Sequence, residues 1–191
     1  MFERCLWLNE PARWSATDAR LDVVTDDRTD FWRQTHYGFT RDTGHFFGAE
    51  VVGDFTAALR IRATYEALYD QAGLMVRVDA ENWLKAGIEL SDGVPMLGSV
   101  LTRDFSDWAT GRFEGDAADF WLRVTVANGV VRLQASTDGV RWPLLRLAPF
   151  PIAPRYRVGP MCCTPERAGL AVGFSDFSIG PPTSRTLHDL G

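Results

Sequence analysis

The chain is short of lysine, cysteine and histidine, and each shortage removes a class of function. Of its 20 basic residues only Lys85 is a lysine, and the formal net charge is -5. No net positive field draws in a polyanion, so DNA and RNA are not expected partners. The cysteines, Cys5, Cys162 and Cys163, are odd in number. Two are sequence neighbours, a spacing that strains a direct disulfide, and reduced thiols are expected. The histidines, His36, His45 and His188, supply no zinc-ligand spacing and no C-x-x-C pair accompanies them, so neither metal nor cofactor is expected. No apolar run approaches the roughly 20 residues that span a bilayer, and no membrane contact is expected. The opening MFERCLWLNEP carries an acid at Glu3 and too short an apolar stretch for a signal peptide. The resulting expectation is a cytoplasmic protein.

What remains is rich enough to fold. The 191 residues are 46% hydrophobic and 24% charged, a composition that buries a real core rather than a disordered one. Helical periodicity is scarce, whereas short alternating runs recur between Asp92-Gly93, Asn128-Gly129, Asp138-Gly139 and several prolines. The clearest unit is FWLRVTVANGVVRLQAS, where a two-residue Asn128-Gly129 turn sets Val126 against Val131, Val124 against Leu133 and Leu122 against Ala135. The opposite face then pairs Thr125 with Arg132 and Arg123 with Gln134, so one register makes both faces chemically consistent. Trp142, after the Asp138-Gly139 turn, is expected to fold back over the sheet end.

A second hairpin, GLMVRVDAENWLKAGIEL, carries the chemistry. Its core-facing set is Leu74, Val76 and Val78 with Leu84, Ala86, Ile88 and Leu90, closed by a three-residue loop at Ala80, Glu81 and left-handed Asn82. That register sets Asp79 opposite Trp83, Arg77 opposite Lys85, Met75 opposite Gly87 and Gly73 opposite Glu89. Two facing cations require a compensating group nearby: Asp79 on the diagonal, a carboxylate from a neighbouring strand, or a bound anionic or polyhydroxyl ligand. Further strands are expected at 20–25, 30–39, 45–52, 55–64, 97–103, 156–162 and 168–179. More than eight half-buried strands favour two packed antiparallel sheets in one all-β domain spanning 1–179. Residues 180–191 lack a packing face and are expected to form a loosely held tail.

Several segments are distinctive together: NEPARW from Asn9, DFWRQTHYGF from Asp30, YDQAGLMVR from Tyr69, ENWLKAGIE from Glu81, SDW from Ser106 and VGFSDFSI near the end. They resemble the domain of unknown function 1349 family, also described as regulation of enolase protein-like. The resemblance covers about Trp7 to Ile179. It implies a concanavalin A-like lectin/glucanase fold, a jelly-roll sandwich with a concave sheet, and no established activity or transferable catalytic residue.

In such a sandwich the polar face of the second hairpin is expected to floor the concave groove. Sugar recognition needs an aromatic plane for the apolar face of a pyranose and polar groups to fix its hydroxyls. Trp83, Arg77, Lys85 and Glu89 match that inventory; Trp32 and His36 share parity on one strand, and Asp70, Gln71, Asp107 and Trp108 are expected to close the groove from loops. Glycoside hydrolysis needs two positioned carboxyl groups. The glucanase pattern E-x-D-x-x-E is absent, its nearest approximation being Glu114, Asp116 and Asp119 in a glycine-punctuated loop. No G-x-S-x-G elbow occurs. The leading expectation is therefore a lectin-like domain for a carbohydrate or polar metabolite. A glycan-active hydrolase or lyase using Glu89 or Lys85, and a protein-interaction module, are the alternatives.

Overall fold

Alternating apolar residues turn two strand sets toward each other and bury one face of each. The computed structural model describes residues 1–190, and in it sixteen strands, numbered along the chain, form two seven-stranded sheets and one small hairpin. The first sheet runs β1 (Cys5–Leu8), β6 (His45–Val52), β15 (Arg155–Cys163), β8 (Gln71–Arg77), β9 (Asn82–Ser91), β10 (Val94–Arg103), β11 (Phe105–Arg112). The second runs β14 (Leu144–Pro149), β13 (Val130–Ser136), β12 (Asp119–Ala127), β7 (Phe55–Ala63), β16 (Ala171–Gly180), β3 (Arg20–Val24), β2 (Arg13–Ala16). All pairings are antiparallel. The separate hairpin is β4 (Phe31–Arg33) with β5 (Thr40–Asp42). This is the all-β two-sheet sandwich expected from the pattern, and the jelly roll that the family resemblance implies.

The main core lies between the sheets. Leu74 and Val76 of β8 and Leu84, Ala86 and Ile88 of β9 meet Leu59 and Ile61 of β7 and Leu122, Val124 and Val126 of β12. The β12–β13 hairpin has the register read from the sequence, Val126 against Val131 through Leu122 against Ala135. Its turn holds Asn128 at φ 52° and Gly129 at φ 74°, the paired left-handed residues that a two-residue turn demands. Trp142 is buried, with the Arg123 guanidinium over its ring at 4.4 Å.

The β8–β9 register departs from expectation by two residues. Gln71 faces Glu89, Gly73 faces Gly87, Met75 faces Lys85 and Arg77 faces Trp83. A shift of two keeps every side chain on its face, so the apolar and polar sides stand as read. Three causes select the observed register. The Asp79 carboxylate accepts hydrogen bonds from the backbone N–H groups of Glu81 and Asn82, both at 2.8 Å, which closes the turn without a left-handed Asn82. Arg77 no longer faces Lys85, and the like-charge pair disappears. Gly73 meets Gly87 where the strands approach too closely for any side chain: a Cβ on Gly73 would stand 1.7 Å from the Ala86 carbonyl oxygen.

The expected strand over 30–39 also changes form. Within it only 31–33 is extended, and it pairs with 40–42. Gln34, His36 and Gly38 take left-handed conformations and turn the chain back on itself. Residues 181–190 run beside the second sheet, where Thr183 N–H donates to Thr56 Oγ1 at 2.8 Å and Trp142 N–H donates to the Leu190 carbonyl at 2.8 Å. The last tail residue, 191, lies outside the described residues.

Because backbone, not a flexible side chain, confronts a Cβ at the central glycine pair, Gly73→Ala is expected to lower stability by at least about 3 kcal/mol. Urea denaturation of the variant, set beside Gly53→Ala, whose glycine has nothing within 4 Å but a positive φ, measures the difference.

Candidate functional site

The outer face of the first sheet is not left to water. The β4–β5 hairpin lies over β8, β9 and β10 and seals a second, smaller apolar cluster of Phe31, Trp32, Phe46, Met75, Trp83, Val100, Met161 and Cys163. Trp83 is 1% exposed, packs against Phe31 with ring centroids 6.2 Å apart, and donates its indole N–H to the Ala80 carbonyl at 3.3 Å. It supports the hairpin and offers no stacking plane to a ligand, which corrects the role expected of it. Arg77 is likewise structural. Its guanidinium makes a two-bond contact with the Asp42 carboxylate, both at 2.7 Å, which ties β8 to the end of β5. Arg33 N–H donates to Ser106 Oγ at 2.9 Å, and Asn9 Nδ2 donates to the Asp42 and Gly44 carbonyls at 2.8 and 2.9 Å.

Lys85 sits at the centre of this covered face, 3% exposed, with its ammonium 3.3 Å from Asp30 Oδ1. Burial opposes the charged ammonium more than any single neighbour favours it, but Asp30, Cys163 and Glu89 together outweigh it, and the lysine is held above its ordinary pKa. The counter-charge comes from the residue just before β4, so one ion pair joins the sheet floor to its cover. Cys163, also beneath the cover, has its thiol pushed well above the usual range by burial and is no nucleophile.

Beside the ion pair opens a hollow of about 170 Å³. Aromatic residues Trp32, Tyr37, Phe39, Tyr69 and Trp108 wall it, and Asp30, Lys85, Gln71, Glu89 and Val100 reach its floor, with Arg41, Pro165 and Glu166 completing the lining. Trp32 meets Tyr37 and Trp108 edge-on, with centroids 5.6 and 6.4 Å apart. The phenol oxygens of Tyr37 and Tyr69 are 3.2 Å apart, bridging the hairpin tip and the turn that leads into β8, and that contact first, then burial, pushes Tyr69 up to about 12. Glu89 accepts a hydrogen bond from Gln71 Nε2 at 2.9 Å through Oε2, while its buried Oε1 has no partner among the described residues. Burial pushes Glu89 up to about 7, against the pull of Lys85. Two broader depressions, of about 530 Å³ beside Arg20 and about 670 Å³ beside Trp7, are more open and carry committed charges. Arg20 is bonded to Asp22, and Glu10 accepts from the Trp14 indole. Within the hollow, unspent polar capacity lies at Lys85, which has one acceptor, and at Glu89, whose Oε1 has no partner among the described residues.

Of the residues singled out in the sequence, Trp32, Gln71, Lys85, Glu89 and Trp108 line this hollow, and Arg77, Trp83, His36, Asp70 and Asp107 do not. His36 is exposed at the hairpin tip with φ 64°, beyond the parity argument because the strand has already turned. Asp70 is buried against Arg167 and accepts from the backbone of Glu66 and Ala67, so it holds a loop. Asp107 points away and pairs with Arg146 at 2.6 Å. Sequence reasoning missed Asp30, Tyr37, Phe39, Arg41, Tyr69 and Glu166, all brought in by chain reversal or from loops. The one available signal was the requirement that a buried lysine find an acid on another element. The expectation of Asp79 or a neighbouring strand narrowed that search without naming Asp30.

Residues 7–182 match the family model described as Protein of unknown function (DUF1349). The chain belongs to that family. It is 57% identical over 184 residues to "Regulation of enolase protein 1" of Saccharomyces cerevisiae, covering 96% of this chain and 93% of the relative. A crystal structure of a functionally unknown protein from Saccharomyces cerevisiae superposes with a TM-score of 0.94 at 55% identity, covering 96% of this chain and 99% of the other. More distant similarity reaches the GH43 protein BlXynB of Bacillus licheniformis, with a TM-score of 0.71 at 15% identity over 92% of this chain and 36% of that one. At that identity the likeness is one of fold. DUF1349 therefore joins an uncharacterised family to a sandwich architecture also present in carbohydrate-active enzymes.

Two outcomes follow from the electrostatics. Asp30→Asn leaves the Lys85 ammonium buried without a counter-charge and is expected to cost about 3–5 kcal/mol in chemical denaturation, whereas the double variant Asp30→Asn/Lys85→Met recovers most of that loss. For Glu89 the folded pKa of about 7 lies above the ordinary 4.5. The folded chain keeps a proton that the unfolded chain releases, so this stabilisation is complete below about pH 4.5 and fades as pH rises to 7. Melting curves of Glu89→Gln and the parent are expected to diverge in favour of glutamine between pH 5 and pH 8, by on the order of 2 kcal/mol. A pH-independent difference would contradict the assignment.

Proposed function

We propose that the protein is a lectin-like binding domain that takes one neutral sugar unit, or a similarly hydroxylated metabolite, in the hollow over β8, β9 and β10. The observation that carries this reading is the meeting of two chemistries in one small space. Trp32, Tyr37, Tyr69 and Trp108 offer aromatic surface for the C–H face of a pyranose. The floor offers hydrogen bonds of both senses, Lys85 donating, Asp30 and Glu89 accepting, as sugar hydroxyls require. The ammonium and the Asp30 carboxylate cancel, so the floor favours a ligand without net charge. A volume of about 170 Å³ is below the roughly 300 Å³ of drug-sized sites and suits a single ring. Free, buried cysteines support a reducing, cytoplasmic setting. The name of the yeast relative, Regulation of enolase protein 1, supports a regulatory role that includes contact with a protein partner.

A second reading, glycan hydrolysis or elimination, draws on Glu89, whose raised pKa and unpartnered oxygen are those of a proton-transfer group. It stands second because Asp30, the other floor carboxylate, is committed to Lys85, and Glu166, the remaining carboxylate of the lining, is exposed rather than held on the floor.

The test is a glycan array followed by calorimetry on the parent and Trp108→Ala. Trp108 is 37% exposed at the rim, so its removal spares the packed interior. Saccharide binding by the parent, weakened at least about fivefold in the variant, is the expected result. A blank array for the parent would remove the sugar reading, and release of reducing ends that is lost in Glu89→Gln would put the enzyme first.

A further inference from the structure

Adjoining the main hollow is a recess of about 20 Å³ over Gly87 and Gly98, which face each other across β9 and β10. The absence of side chains on this row is what leaves the space. Its walls are apolar at Val100 and Met161 and polar at Lys85 and Glu89. A recess of this size exceeds the roughly 10–15 Å³ that one water-sized group occupies, and admits little more.

The polar groups at this recess are under-used. An ammonium has three hydrogens to donate, and among the described residues Lys85 finds one acceptor, Asp30 Oδ1 at 3.3 Å. The Glu89 Oε1 is buried without any partner. A spare donor and a spare oxygen at one small site ask for a group that accepts and donates together, which a hydroxyl does. An amine would confront the lysine, and a carboxylate would confront Glu89. A methylene carrying that hydroxyl fits the apolar part of the walls.

Building on the sugar reading above, we propose that the ligand is a hexopyranose whose exocyclic hydroxymethyl arm enters this recess, its hydroxyl accepting from Lys85 and meeting Glu89 Oε1. The recess is then a specificity site: it distinguishes hexoses from the pentoses that lack the arm. Burying the two polar groups without that hydroxyl leaves a Lys85 hydrogen and Glu89 Oε1 unpaired, the circumstance in which a site rejects an analogue most strongly.

The test titrates the purified full chain with methyl glucoside, galactoside and mannoside, each beside the pentoside that differs only by the missing arm: xyloside, arabinoside and lyxoside. The best-bound hexoside is expected to exceed its pentoside, and its own 6-deoxy analogue, at least about tenfold in affinity. In Gly98→Ala a Cβ stands 3.2 Å from the Ala109 carbonyl oxygen, a contact that a small backbone adjustment relieves, and it takes up the recess. The hexoside-to-pentoside ratio in that variant is expected to fall to about one. Pentosides and 6-deoxy sugars binding as well as hexosides overturn the proposal while leaving the sugar reading intact, and so does an undiminished ratio in a folded Gly98→Ala. Absence of binding by every glycoside overturns the sugar reading itself. Should Gly98→Ala fail to fold, the 6-deoxy comparison in the parent protein decides alone.

Discussion

The ion pair between Lys85 and Asp30 is the interaction on which the candidate site depends. A lysine on the outer face of a sheet ordinarily reaches water; here the hairpin covers it, and a buried ammonium survives only with a counter-charge at hand. Asp30 supplies that charge from the element that does the covering, 3.3 Å away. The pair is therefore both a cost and a fastening, with net stability coming from the apolar cluster that closes around it. Trp83, Phe31, Met75 and Met161 exclude water from the same region. Arg77 with Asp42, and Arg33 with Ser106, hold the hairpin at its other points of contact.

This arrangement gives the sandwich two cores with different duties. The one between the sheets is built of apolar side chains and stabilises the fold through ordinary burial. The outer one is small, aromatic and built around charge, and it ends at a hollow rather than at bulk solvent. Glu89 stands at that boundary. Its neighbour Asp30 is paired with Lys85, whereas one of its own oxygens has no partner among the described residues. In a low-dielectric setting such a group is expensive to leave unpaired, which makes it the point at which a hydroxylated ligand gains most.

Much of this was legible in the sequence because strand patterning is local. Alternation along Leu122–Val126 and Val131–Ala135, with Asn128-Gly129 between them, fixes both faces and the register of that hairpin. Along β9 the same rule separates Leu84, Ala86 and Ile88 from Lys85 and Glu89. Register in β8–β9 was less accessible, since the determining features are a side-chain cap from Asp79 and a glycine–glycine approach, neither of which is a periodic signal. The cover was less accessible still. It forms because Gln34, His36 and Gly38 reverse the chain, and nothing in the alternation of 30–39 indicates that reversal. For that reason Trp83 reads as an exposed platform although it is the most enclosed tryptophan of the group. Tyr37, Phe39 and Tyr69, which arrive from turns, gave no signal as part of a hollow.

The most direct measurement of the central claim is an NMR titration of the indole N–H signals with a methyl hexoside. There are seven tryptophans distributed over the molecule. Only Trp32 and Trp108 line the hollow, while Trp7 and Trp14 adjoin a different depression and Trp121 and Trp142 belong to the second sheet and its end. The account predicts saturable shifts of the Trp32 and Trp108 signals with the others nearly still. Shifts centred on Trp7 and Trp14, or none at saturating sugar, would contradict it.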